Sequence, residues 1–76
     1  MFKVNDRVKI KDNLIEELSK LNFDSYILKN FSIYIGTKQT IHDIWKDEGT
    51  NQEFATIDLC VEIPIQCLEL INEGFI

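Results

Sequence analysis

A chain of 76 residues with 45% hydrophobic and 11% aromatic side chains has room for one small domain and is too apolar to be disordered. No run approaches the ~18 apolar residues of a membrane helix, and "MFKVNDRVKI" lacks the apolar core of a signal peptide, so a cytoplasmic protein with no membrane partner is expected. The formal net charge of −5 is unevenly spread: residues 1–11 hold Lys3, Arg7, Lys9 and Lys11 against Asp6, whereas from residue 39 onward Lys46 faces a run of acids, which argues against nucleic acid as a partner.

"VNDRVKIK" opens with an Asn-Asp turn and then alternates, with Val8 and Ile10 on one face and Arg7, Lys9 and Lys11 on the other. This is the period of a half-buried strand. "DNLIEELSKLNF" changes period: Leu14, Leu18 and Leu21 fall on one helical stripe, widened by Ile15. Asn13 is the expected N-cap, with Glu16 three residues on and a Glu16–Lys20 pair along the helix.

"DSYILKNFSIYIG" fits either period. Ile27, Phe31, Tyr34 and Ile35 suit a helix, while Phe31, Ile33 and Ile35 suit a strand; Gly36 after the apolar run favours a short helix capped there. "TKQTIHDIWK" reads as a strand, but Ile41 and Ile44 lie three apart, which requires a bulge or sharp bend near Asp43 to put both in the core. "DEGTN" is a hairpin loop, and "FATIDL" a strand burying Ala55, Ile57 and Leu59.

Val61, Ile63 and Ile65 alternate with Glu62, but Pro64 has no N–H for a central ladder and marks a strand end or corner. "IQC" then forms a tight turn, and "LELI" a short last strand pairing beside the first. That register sets Glu69 near Lys9 or Arg7.

In this order the pieces resemble a small SH3-like barrel of the KOW or Tudor type. "VNDRVKI" matches its V-G-D-x-V opening, "YIGTKQTIHDI" its G-x-x-G-x-I-x-x-I segment, and "VEIPIQCLEL" its closing V-x-V-P-x-x-x-L-x-L. The chain is also similar to short proteins of unknown role carried by phages and mobile elements of low-GC bacteria, which insert a helical stretch after the first strand. Asn5 stands for the usual turn glycine, which its tolerance of left-handed backbone permits, and Gln39 for the second. The resemblance implies a mainly β, five-stranded SH3-like barrel over residues 1–76, with a helical insertion at about 12–35 between strands 1 and 2. Val8, Ile10, Leu18, Ile41, Ile44, Ile57, Ile63 and Leu68 are its expected core.

The resemblance also implies a binding module rather than an enzyme. The residues offer little catalytic chemistry: His42 and Asp43 are neighbours on a strand and face opposite ways, and no motif supports a Cys-His dyad. Cys60, Cys67 and His42 do not have the spacing of a zinc site, and two cysteines are too few to brace a secreted domain, so no metal, no cofactor and reduced thiols are expected. The expected binding surface combines Tyr26, Tyr34 and Trp45 with Asp43, Asp47 and Glu48. Trp45 serves either as core under the inserted helix, the favoured reading, or as a groove for a peptide or cation. The function expected is a protein-interaction or adaptor module. The alternatives are a nucleic-acid-binding barrel using Arg7, Lys9 and Lys11, or an acidic inhibitor imitating DNA. Phe2, Phe75 and Ile76 are apolar ends that would support a weak homodimer.

Overall fold

The computed structural model describes residues 2–58 and 61–71. Strand β1 (Arg7–Ile10) is followed by helices α1 (Leu14–Lys20) and α2 (Ser25–Phe31) and a 3-10 turn, Ser32–Tyr34. Then come β2 (Lys38–Thr40), β3 (Asp43–Asp47), β4 (Gln52–Ile57) and β5 (Val61–Pro64), a 3-10 turn at Ile65–Cys67, and β6 (Leu68–Leu70). Of residues 26–35, which fit two periods, 26–34 are helical and Ile35 is extended.

The five-stranded SH3-like barrel is not what forms. Among the described residues, six strands make two separate antiparallel sheets of three, ordered β2-β1-β6 and β3-β4-β5, and they do not close into a barrel. The reason lies at two corners. The strand expected over residues 37–46 breaks between Ile41 and His42. Ile41 N–H donates to Asp6 C=O (3.0 Å) and its C=O accepts from Asn5 N–H (2.8 Å), both beside β1. One residue later, His42 N–H donates to Thr56 C=O (2.7 Å) on β4. The anticipated bend is therefore present one residue before Asp43, and it moves the chain from one sheet to the other. At the second corner Pro64 ends β5, and the turn over residues 65–67 carries the chain back to β1.

Within each sheet the pairings follow the alternation. β6 runs beside β1 with Lys9 opposite Glu69, and β3 pairs β4 with Trp45 opposite Phe54. Sheet one gives the core Val8, Ile10 and Leu68, sheet two gives Ala55, Ile57 and Ile63, and α1 adds Leu14 and Leu18. The two corners contribute Ile41 and Cys67, both 0% exposed. Ile44 is only partly buried against this cluster, and Leu59 lies outside the described residues.

Helix α1 starts at Asn13, whose side chain does not cap it; Asn13 Nδ2 donates instead to the Gln66 carbonyl at 3.4 Å. Lys20 pairs with Glu17 (3.0 Å) rather than Glu16. Asn22, at φ +68°, turns the chain out of α1, and Asp24 caps α2 by accepting from Ile27 N–H at 3.0 Å. Among the described residues, the non-glycine positions of positive φ are all asparagine (5, 22 and 51), the side chain that bears left-handed backbone best. Gly36 takes φ +82° where the helical segment gives way to β2, and its N–H donates to Ile10 C=O at 2.8 Å.

Two stability measurements check this account. A Cβ at Gly36 would meet nothing within 4 Å, so Gly36→Ala carries a backbone cost alone. Urea unfolding should show about 1–2 kcal/mol lost there, while Asn5→Gly stays within a few tenths. Ile41→Ala should cost about 2–5 kcal/mol by opening a cavity at the corner, a large share of a small domain's total stability.

A candidate binding groove

The sheet β3-β4-β5 has a second apolar feature on the face turned away from the core. Side chains alternate along strands, so Asp43, Trp45 and Asp47 share one face of β3. The register adds Phe54 and Thr56 from β4 and Glu62 and Pro64 from β5 to that face. Trp45 stacks on Phe54, with ring centroids 4.8 Å apart and planes 20° from parallel. Phe54 is buried yet belongs to no part of the main core; it is the floor beside the indole.

The helical segment supplies more aromatic surface. Phe23, placed by the Asn22 turn, and Phe31, at the end of α2, join Trp45, Phe54 and Val61 around a groove of about 430 Å³. Asp47 and Glu62 complete its lining, and no cation is among the described residues that line it. Asp47 is held in place by Thr50, whose hydroxyl donates to Oδ2 at 2.7 Å.

The residues expected to form the surface divide. Trp45 and Asp47 line the groove. Tyr26 is 74% exposed on α2 and is not among the lining residues, and Tyr34 packs edge-on against Phe31 (6.2 Å, 87°). Asp43 shares the sheet face, where its Oδ1 accepts from Ile44 N–H, and Glu48 sits exposed in the hairpin turn. Phe2 is partly buried against the core and lines a separate cavity of about 300 Å³ with Ile44, Glu53 and Ile65. Phe75 and Ile76 lie outside the described residues. Phe23, Phe31, Phe54 and Val61 were missed as lining residues. Only the hairpin register, which opposes Trp45 and Phe54, could have revealed part of the set.

His42 does find a carboxylate, but it is Asp58: Nε2 lies 2.7 Å from Oδ1. Asp58 Oδ2 also accepts from Thr40 N–H at 3.4 Å, and Arg7 Nη1 donates to the Thr40 hydroxyl at 3.0 Å. The hydrogen bond from His42 is the main cause holding the Asp58 carboxyl below its ordinary value. This cluster straddles the first corner and ties β1, β2 and the end of β4 together.

A polar chain braces the second corner. The Gln52 and Gln66 amides exchange hydrogen bonds (2.8 and 3.1 Å), and Gln66 Nε2 also donates to Glu17 Oε1 at 3.1 Å. That bond, with the Lys20 contact, lowers the Glu17 carboxyl from its ordinary value. Among the described residues no group of three or more His, Cys, Asp and Glu side chains is placed to hold a metal ion.

The chain matches no protein-family model, and no curated protein or solved structure shows significant similarity to it.

Cys67 provides a pH test of the second corner. Burial pushes its thiol up from 9.0 to about 12, with a smaller contribution from the Glu17 charge. A raised value means the folded state keeps a proton that the unfolded chain releases. Stability from this group is therefore full below pH 9.0 and is lost as pH rises towards about 12. Urea melts between about pH 8 and 11 should show an added loss of roughly 1 kcal/mol per pH unit over that of Cys67→Ala. The native Cys67 thiol should also resist alkylation until the protein unfolds, since the thiolate is the reactive form.

Proposed function

We propose that this chain is a non-catalytic binding module that engages a protein partner through the Trp45 groove. The observation carrying this reading is the stack of a partly buried Trp45 on Phe54 in a groove also lined by Phe23, Phe31, Asp47 and Glu62. A domain of this size buries a smaller fraction of its surface than larger ones and has little apolar area to spare. Aromatic side chains held together in a concave, partly solvated site are the usual makings of a recognition surface. The chemistry nearby supports binding over catalysis. Burial holds the thiol of Cys67 protonated, and the His42–Asp58 pair sits in a cluster with Thr40 and Arg7 that braces a corner.

A second reading, nucleic-acid binding, has one observation in its favour. Lys9 and Lys38 are paired across β1 and β2 on the outer face that also carries Arg7. Against it, Lys9 is also opposite Glu69, and the other sheet presents Asp43, Asp47 and Glu62 to approaching phosphates.

A peptide array and a gel shift separate the two. The wild-type chain should bind a subset of array peptides, and Trp45→Ala should lose at least about tenfold in signal with an unchanged circular dichroism spectrum. A nucleic-acid shift at low salt that weakens steeply with added salt and survives Trp45→Ala would favour the second reading.

A further inference from the structure

We propose that the groove selects an arginine side chain from a basic segment of the partner, which deepens the reading of the groove as a protein-binding site. Its lining combines four aromatic rings with the carboxylates of Asp47 and Glu62, and Asp43 lies on the same sheet face. Lys46 alternates to the opposite face, so the strand carrying Trp45 presents acids alone on the groove side. Negative charge set among aromatic rings suits a ligand that is both cationic and able to stack. Phe54 stacks on one face of the indole, and Trp45 is only partly buried and lines the groove, so part of its ring surface remains for that ligand.

Arginine meets this demand better than lysine. Its guanidinium is planar and weakly hydrated, stacks on aromatic rings, and presents a fork of N–H donors to carboxylates. An ammonium is more strongly hydrated and loses more water on entering an apolar groove. Asp47 Oδ2 already accepts from the Thr50 hydroxyl, which fixes the carboxylate while leaving it capacity to accept further N–H bonds. The groove volume of about 430 Å³ admits one long side chain with part of its backbone, within the range of small ligand sites.

Trp45 is the chain's single tryptophan, so its fluorescence reports the site directly. The probe is the peptide acetyl-Ala-Leu-Arg-Leu-Ala-amide, titrated to millimolar concentration, with congeners in which lysine or the isosteric, uncharged citrulline replaces arginine. The arginine peptide should change Trp45 fluorescence saturably. Affinity should fall about tenfold or more for citrulline and several-fold for lysine. It should also weaken with added salt and drop in both Asp47→Asn and Glu62→Gln, but not in Lys46→Gln. Equal binding of the citrulline peptide, or undiminished binding by the Asp47→Asn, Glu62→Gln double variant, would overturn the assignment. Peptides that bind the groove without regard to arginine would do the same while leaving the binding-module reading intact. No change at Trp45 with the arginine peptide overturns the arginine assignment, and array peptides that bind regardless of Trp45→Ala overturn the groove itself. Sedimentation of the protein alone, at the same concentrations, should show monomer; self-association abolished by Glu62→Gln would give the groove to a second copy instead.

Discussion

The architecture turns on a change of hydrogen-bond partner across one peptide unit. Ile41 belongs by its backbone to the loop before β1, and His42 belongs to β4. A chain can switch allegiance this abruptly only where its side chains anchor both sides. Ile41 is wholly buried between the sheets, while His42 reaches Asp58 on the outside. The second corner repeats the logic with different chemistry: Pro64 removes a donor, the 3-10 turn reverses the direction, and Cys67 fills the interior. Neither corner carries a continuous ladder, so the two sheets are joined by covalent chain, side-chain packing and the side-chain hydrogen bonds at each corner.

This arrangement also separates charge. The first sheet, built from the basic strand β1 and from Lys38–Thr40, turns cations outward; the second turns carboxylates outward. Between them lies an interior in which the buried residues are apolar, with no buried polar or charged side chain among the described residues. The helical segment is the third participant. Leu14 and Leu18 face the interior, while Phe23 and Phe31, carried by the turn and helix that follow, contribute to the wall of the acidic aromatic groove. One short insertion therefore serves both the stability of the domain and the character of its surface.

Much of this was legible from residue patterns. The alternation at Val8 and Ile10, the helical stripe at Leu14 and Leu18 and the stop at Pro64 each follow from local geometry, and the expectation of Glu69 near Lys9 or Arg7 resolves to Lys9. The offset between Ile41 and Ile44 even announced the bend. Closure was not legible, because whether two bent sheets share a ladder depends on hydrogen bonds between distant segments. The same limit applied to the site. Aromatic type pointed to Tyr26 and Tyr34, but the ring placed beside Trp45 is Phe54, which a strict inside–outside reading of "FATIDL" assigns to solvent. His42 and Asp58 are 16 residues apart and meet only through the β3–β4 register.

The placement of β1 bears on how the chain acquires its structure during synthesis. β1 precedes the other described strands in the chain, yet it is the middle strand of its sheet, flanked by residues 38–40 and 68–70. Its alternate side chains, Val8 and Ile10, have no complete interior to enter until β6 exists. The β3–β4 hairpin, by contrast, joins segments only a few residues apart and can form as soon as it emerges. The acidic hairpin can therefore form as a local unit, while the basic strand, even once β2 is made, waits for almost the last residues described to cover its other edge. Loss of those residues by premature termination would leave β1 with an open edge, a species prone to pair with other chains rather than a slightly weakened version of the domain.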